Sequence, residues 1–169
     1  MSVTSTQIEL AARPVGDPKH SDFKIVKVDL PEIKEGEMLC RIIYQSLDPY
    51  MRGRMDDAKS YAVPVAIGSV MEAGCAAEVM ESKNARFQAG DIVNGRFGWR
   101  THIISDGAGV RKVNKDIAPI STSIGILGMP GMTAYVGLLD IGEPKEGETV
   151  VVSAASGAVG AVVGQIAKI

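Results

Sequence analysis

The chain has 169 residues, enough for one ordinary domain or for a small domain and part of another, but not for two full domains. Hydrophobic residues make up 46% and charged residues 22%, which excludes disordered, fibrous and collagen-like classes. A net charge of −2 provides no basic surface for nucleic acid or for an anionic membrane, so we expect neither as a partner.

Two cysteines and two histidines limit the chemistry that the chain can support. Cys40 and Cys75 both lie in apolar runs, which predicts buried thiols and not a disulfide framework. With only His20 and His102, a Cys/His zinc cluster cannot be assembled, and neither histidine lies near a G-x-S-x-G nucleophile motif. Residues 1–7 are polar and show no signal-peptide pattern, so we expect a cytoplasmic protein.

The first hundred or so residues predict short strands separated by turns. Each run is rich in β-branched or aromatic residues or alternates with a period of two. The predicted strands are 8–15, 23–30, 38–46, 74–81, 91–94 and 99–105. Strands at this spacing, without long helices between them, favour an antiparallel barrel or sandwich, in which His102 is an ordinary strand residue.

After residue 120 the pattern changes. Apolar residues recur at helical spacing, and the glycines and proline within 128–131 divide the stretch into two helices, the second ending at Gly142. Residues 149–153 form an apolar, β-branched run typical of a buried parallel strand, and a small-residue helix follows as far as Ile169. Because a parallel strand needs a neighbour and cover on both faces, we expect a fragment of a larger protein.

The segment between that strand and that helix carries a glycine motif. Ala155-Ser156-Gly157-Ala158-Val159-Gly160 matches the dinucleotide fingerprint G-x-G-x-x-G with alanine in the first place. Gly157 would let the backbone approach a pyrophosphate, Gly160 would let the helix pack closely on the strand, and the first-turn amides would point at the phosphates. The alternative is a glycine-rich packing turn without a ligand.

A membrane helix over 150–169 is a second alternative for the same segment. The stretch has few charges and contains a G-x-x-x-G spacing at 160–164. Polar and charged residues within it, and the lack of flanking aromatic residues, argue against insertion. We therefore expect no membrane span.

Three ordered motifs resemble one family: LDPYMR at 47–52, GMPGMTAY at 128–135, and EGETV at 146–150 leading into the glycine motif. They are similar to the zinc-independent medium-chain dehydrogenase/reductases, within them to the leukotriene B4 dehydrogenase, prostaglandin reductase and curcumin reductase group. The resemblance extends from about residue 8 to the end. It implies a mixed β and α/β fold, with a GroES-like β-barrel over 1–120 and, over 121–169, linker helices and the first βα unit of a truncated Rossmann domain.

The resemblance also implies an activity. Such enzymes use NADP(H) to reduce the carbon-carbon double bond of α,β-unsaturated aldehydes or ketones, and they commonly form homodimers. Negative charge then develops on the carbonyl oxygen of the substrate. Zinc-dependent relatives carry a cysteine near Leu47-Asp48 and a Gly-His-Glu where this chain has 68–72, so we expect no metal site and stabilisation by hydrogen bonds.

The family places several residues in its binding sites. It implies that Tyr50 lies beside the nicotinamide and the substrate, that Met129 and Thr133 contact the cofactor, and that Trp99 lies near the substrate mouth. Cofactor binding is implied for the whole turn, that is for Gly157, Ala158, Val159 and Gly160. The structural alternatives are a tyrosine bonded to backbone, ordinary helix packing for Met129 and Thr133, and a core anchor for Trp99.

Other assignments stay open. The tyrosine usually credited with catalysis in the family lies beyond residue 169, so no catalytic residue is assigned and the 169-residue chain alone is expected to be inactive. The residue that selects between NAD and NADP lies about 20 positions after the glycine turn, also beyond residue 169. Arg52 and Arg54 could hold an anionic substrate but are expected to be solvated. The alternative functions are a quinone oxidoreductase of the same superfamily and a non-catalytic GroES-like module.

Overall fold

The computed structural model describes residues 2–169 and contains two compact units, Met1–Asn114 and Lys115–Ile169. The first unit is built mainly of strands, with a short helix, α1 (Tyr50–Arg54), and the second is built of helices. The assignment of functional domains to 1–120 and 121–169 stays a prediction.

Antiparallel strands form two sheets in the first unit. The strands are β1 (Val3–Leu10), β2 (Phe23–Leu30), β3 (Met38–Gln45), β4 (Gly74–Ser82), β5 (Ile92–Arg96), β6 (His102–Ser105) and β7 (Arg111–Lys112). β1 pairs with β2 along its whole length, and the other five follow the order β6-β3-β4-β5-β7. The amide of Ile8 donates to the Trp99 carbonyl (2.9 Å) and that of Leu10 to Ser69 (3.0 Å), so β1 is tied to segments beside the larger sheet.

One hydrophobic core lies inside the first unit. Leu10, Met38 and Met71 are fully buried in it together with both cysteines. Cys40 and Cys75 are free thiols, as predicted, and burial raises the pKa of each to about 11. His102 opens β6, which confirms its assignment to a strand.

Two strand predictions were wrong by three or more residues at one end or both. β1 was predicted at 8–15 but occupies Val3–Leu10. β1 shows no hydrophobic alternation in the sequence, because two of its buried residues, Ser5 and Gln7, are polar. The strand is fixed by its pairing with β2. The strand predicted at 99–105 begins only at His102, and the two-residue strand β7 is too short to leave a pattern.

The second unit contains the predicted helices. A 3₁₀ turn at Ile120–Ile124 precedes α2 (Met129–Tyr135), which continues as a π-helical stretch over Val136–Gly142, and α3 covers Gly160–Ile166. The predicted end at Gly142 is confirmed, whereas the last helix stops three residues before the predicted Ile169. α2 packs against α3, and Ala134 and Val162 are buried. No helix among the described residues combines the length and the hydropathy that a membrane span requires.

The strand predicted at 149–153 was wrong. These residues form no strand, and Val151 is 89% exposed. A β-branched apolar run becomes a strand only where a neighbour takes its hydrogen bonds, and no described segment pairs with it.

Candidate functional site

Tyr50 is held at the start of a short helix in the first unit. It is the first residue of α1 (Tyr50–Arg54), and the turn before it is braced by Asp48, which accepts a hydrogen bond from the Ser46 hydroxyl (2.7 Å). The backbone amide of Met51 donates to the Asp48 carbonyl (3.1 Å), and the Met51 side chain is buried in the core. The tyrosine ring packs against that core, so the position of its phenol is well defined.

Charged groups surround the Tyr50 phenol. The Arg96 guanidinium lies beside it, and the expected alternative, a hydroxyl bonded to backbone, stays a prediction. Burial raises the pKa of Tyr50 above its ordinary value, and the nearby Glu72 carboxylate raises it further, while Arg96 opposes both. Because the net shift is upward, the phenol is a neutral hydrogen-bond donor at physiological pH.

Glu72 forms the centre of a charge network that the sequence analysis did not find. Its carboxylate accepts hydrogen bonds from Nε and, at 3.2 Å, from Nη2 of Arg54, whose side chain is only 13% exposed. The second oxygen of Glu72 lies 3.9 Å from Nη2 of Arg96. The three charges come from separate segments, so no local motif predicts that they meet.

The expectation of solvated arginines was wrong for Arg54, whereas the Arg52 side chain stays 35% exposed. Arg54 pairs with Glu72, as described above. Arg52 donates to the Gly16 carbonyl (2.9 Å) and pairs with Asp56 (2.5 Å). Arg54 through Glu72, and Arg52 through Gly16, therefore join segments of the first unit that are distant in the sequence.

Trp99 has one face against an aromatic neighbour. Its ring stacks on Phe23 with centroids 5.6 Å apart and an interplanar angle of 24°, and it packs against the core. Its indole nitrogen is buried and has no hydrogen-bond partner among residues 2–169. These contacts fit the core-anchor alternative, and substrate contact by Trp99 stays a prediction.

The glycine motif forms a tight, exposed turn at the start of α3. Ala154 adopts a left-handed conformation (φ 50°), and its carbonyl accepts from the Gly157 amide at 2.9 Å. A methyl group on Gly160 would collide with that carbonyl oxygen and lie 3.0 Å from the Cα of Ala155. Gly160 thus lets the start of α3 pack closely against the backbone of Ala154 and Ala155 in the turn, and not against the predicted strand.

This turn fits a dinucleotide pyrophosphate. Within the described chain, the amides of Ala158, Val159 and Gly160 donate no backbone hydrogen bond, and the turn carries only small side chains on its exposed surface. Unpaired amides at a helix start suit phosphate oxygens. The binding of a cofactor by these four residues stays a prediction.

Met129 and Thr133 occupy one side of α2. Met129 is 62% exposed, and the Thr133 hydroxyl donates to the Met129 carbonyl at 2.8 Å. Thr133 therefore has a local partner, whereas the Met129 side chain is available for contact. A cofactor role for either residue stays a prediction.

Metal-binding side chains do not converge in the described part of the chain. No group of three His, Cys, Asp or Glu residues within 2–169 lies close enough to hold an ion. Glu72 is paired with arginine.

Comparison with known proteins identifies relatives along the chain. Residues 6–113 match the family described as the N-terminal domain of oxidoreductase. The NADPH-dependent curcumin reductase of Escherichia coli is 52% identical over 160 residues, which are 95% of this chain and 46% of that protein. Prostaglandin reductase 1 of Bos taurus is 48% identical over 158 residues, 92% of this chain and 46% of that protein.

A solved structure agrees with these relatives. CurA from Vibrio vulnificus, in complex with NADPH, superposes with a TM-score of 0.91 at 52% identity, over 96% of this chain and 48% of that one. The likeness confirms the predicted class, a mixed β and α/β fold. The chain spans about half the length of the curated relatives it matches.

Proposed function

We propose that this chain, which belongs to the family of N-terminal domains of oxidoreductases, is part of an NADP(H)-dependent reductase of carbon-carbon double bonds conjugated to a carbonyl. The observation that carries the proposal is the turn at 154–160, where only glycine fits at Gly160 and consecutive amides donate no backbone hydrogen bond within the described chain. The names of the relatives, an NADPH-dependent curcumin reductase and a prostaglandin reductase, support the same cofactor and reaction class.

The chain's own residues have separate roles in this proposal. Gly157, Ala158, Val159 and Gly160 hold the pyrophosphate, and Met129 lies against the cofactor. A bound NADPH supplies the hydride that the double bond accepts. The substrate is a small α,β-unsaturated aldehyde or ketone, whose carbonyl oxygen gains negative charge during the reduction.

Tyr50 stabilises that charge. Its pKa is raised, so the phenol keeps its proton and can donate a hydrogen bond to the carbonyl oxygen, and its ring is held by packing against the core. Preorganised donors of this kind stabilise a developing oxyanion because they need not reorient during the reaction. In this role Tyr50 stabilises negative charge on the substrate oxygen, as the metal ion does in zinc-dependent relatives.

The direct test uses the complete protein with NADPH and a simple enone. We expect NADPH to stabilise the fold by about 2.7 kcal/mol when its concentration is 100 times the Kd, and NADPH absorbance to fall only when the enone is present. NADH at the same concentration is the control for cofactor choice. A protein that NADPH stabilises but that reduces no enone contradicts the reaction, and one that neither nucleotide stabilises favours a non-catalytic module.

A pair of glycine variants in α3 tests the cofactor turn. Gly160→Ala forces a methyl group against the Ala154 carbonyl, and overpacking of this kind costs about 1–3 kcal/mol. We expect the affinity of the complete protein for NADPH to fall roughly tenfold or more, since about 1.4 kcal/mol corresponds to a factor of ten. Isothermal titration calorimetry with NADPH measures this affinity.

The matched control lies one helical turn further along α3. A methyl group on Gly164 meets nothing within 4 Å, so Gly164→Ala is expected to leave the affinity unchanged and to stabilise α3 by roughly 0.5–1 kcal/mol. Equal affinities of Gly160→Ala and Gly164→Ala would remove the turn from the cofactor site.

A further inference from the structure

Two pairs of side chains hold α1, and they lie on different faces of the helix. Met51 and Met55, four residues apart, are both buried in the core. Tyr50 and Arg54 are also four residues apart, so they share a second face, about 100° round the helix axis from the first. The methionines anchor the helix to the core, and the contacts of Arg54 act on the face that carries Tyr50.

The Arg54 side chain is fixed by a two-point contact with Glu72. One carboxylate oxygen of Glu72 accepts a hydrogen bond from Nε of Arg54, and the other accepts one from Nη2 at 3.2 Å. Paired bonds of this kind set the relative orientation of the two groups as well as their separation. The side chains are 13% and 23% exposed, so solvent screens this pair less than it screens a surface ion pair.

Glu72 itself belongs to a firmly held segment. Its neighbours Met71 and Ala73 are fully buried. The Met71 amide donates a hydrogen bond to the Ile8 carbonyl at 3.0 Å, and the Met71 carbonyl accepts one from the Trp99 amide at 2.8 Å. The Glu72 carboxylate therefore gives α1 a fixed point of attachment within the first unit.

An attachment of this kind is needed because α1 is weak on its own. The helix has five residues, and Gly53 in its interior lowers the helix propensity further. We propose that Glu72 is a positioning residue: its two-point contact with Arg54 sets the rotation of α1 about its axis and hence the direction of the Tyr50 side chain. The inference rests on the proposed function for the role of Tyr50 as donor. A donor must be aimed at the oxygen on which charge develops, so a small rotation of the helix lowers the rate.

A double-mutant cycle on the kcat of the complete protein tests whether Glu72 acts through Tyr50. Glu72→Gln keeps the size of the side chain and one oxygen that accepts from Arg54, but it removes the second acceptor. We expect it to lower kcat for a simple enone roughly tenfold or more, since a misplacement of about 1 Å can cost about a hundredfold, and to leave the Kd of NADPH unchanged. In the Tyr50→Phe background, where no hydroxyl is left to aim, Glu72→Gln is expected to leave kcat unchanged.

Two further variants complete the cycle. Arg54→Lys retains a positive charge opposite Glu72 but has no fork to contact both oxygens, so it is expected to act as Glu72→Gln does in both backgrounds. Glu78→Gln is the control, since Glu78 pairs with Arg41 across β3 and β4 at 2.6 Å, and it is expected to leave kcat unchanged. If Glu72→Gln leaves kcat unchanged, or lowers it by the same factor with and without the Tyr50 hydroxyl, Glu72 does not position Tyr50.

Amide hydrogen exchange of the complete protein, measured by mass spectrometry on peptides that cover α1, separates this inference from the proposed function. The Met55 amide donates to the Arg52 carbonyl (3.1 Å), so its exchange reports on opening of the helix. We expect Glu72→Gln to speed exchange in α1 roughly tenfold and Glu78→Gln to leave it unchanged. Unchanged exchange in Glu72→Gln overturns the inference whatever the activity. Faster exchange in a protein that reduces no enone overturns the proposed function and leaves the attachment of α1 through Glu72 standing.

Discussion

Replacing Met51 with alanine is expected to lower the free energy of unfolding of the first unit by about 2–5 kcal/mol, the usual cost of truncating a buried methionine. Met51 is 3% exposed and is one of two buried methionines, with Met55, that fix α1 to the core. α1 has only five residues, too few to be helical without such anchors. The loss is therefore expected to displace Tyr50 as well as to leave a cavity.

The measurement is urea unfolding of the 169-residue chain followed by tryptophan fluorescence. Trp99 is the chain's single tryptophan and lies in the first unit, so its signal does not report on the helices of the second. Met80→Ala is the matched control, since Met80 is 46% exposed on β4, and we expect a change within about 0.5 kcal/mol. Equal losses for the two variants would mean that Met51 does not anchor α1.

The sequence predicted those features that depend on local pattern. β2 was placed at its observed bounds, Phe23–Leu30, because apolar residues and turn signals define it without help from a partner. The glycine motif and the helix after it were also found, since a turn of small residues is a local property. The resemblance to the curcumin and prostaglandin reductase group is confirmed by the relatives, and it rested on ordered motifs of this local kind.

What the sequence could not predict depends on contacts between distant segments. Residues 149–153 have the apolar, β-branched composition of a strand, but they form none because no described strand pairs with them. Arg54 was expected to be solvated because no residue near it in the sequence indicates its pairing with Glu72. The same holds for the candidate site, where Arg96 of β5 comes within 3.9 Å of Glu72, just before β4, because β4 and β5 pair.

Removing the Tyr50 hydroxyl is expected to lower kcat for enone reduction by the complete protein about 10²–10³-fold, the usual loss when one donor to a developing oxyanion is deleted. Tyr50→Phe keeps the ring that packs against the core, so stability and the Kd of NADPH are expected to change little. Measurement of kcat, Kd and the unfolding midpoint on the same preparation separates loss of the donor from loss of the fold.

The pH dependence gives an independent check on the same group. Because the pKa of Tyr50 is raised, the phenol stays protonated past the pH at which an ordinary tyrosine ionises, and its contribution to kcat is lost only above the raised pKa. Tyr50→Phe is expected to abolish that alkaline decline. Tyr44→Phe is the control, since Tyr44 is 47% exposed on β3, and it should retain both the rate and the decline. If Tyr50→Phe reduced enones at the original rate, the donor would have to be another group, because the hydroxyl is the only donor in the Tyr50 side chain.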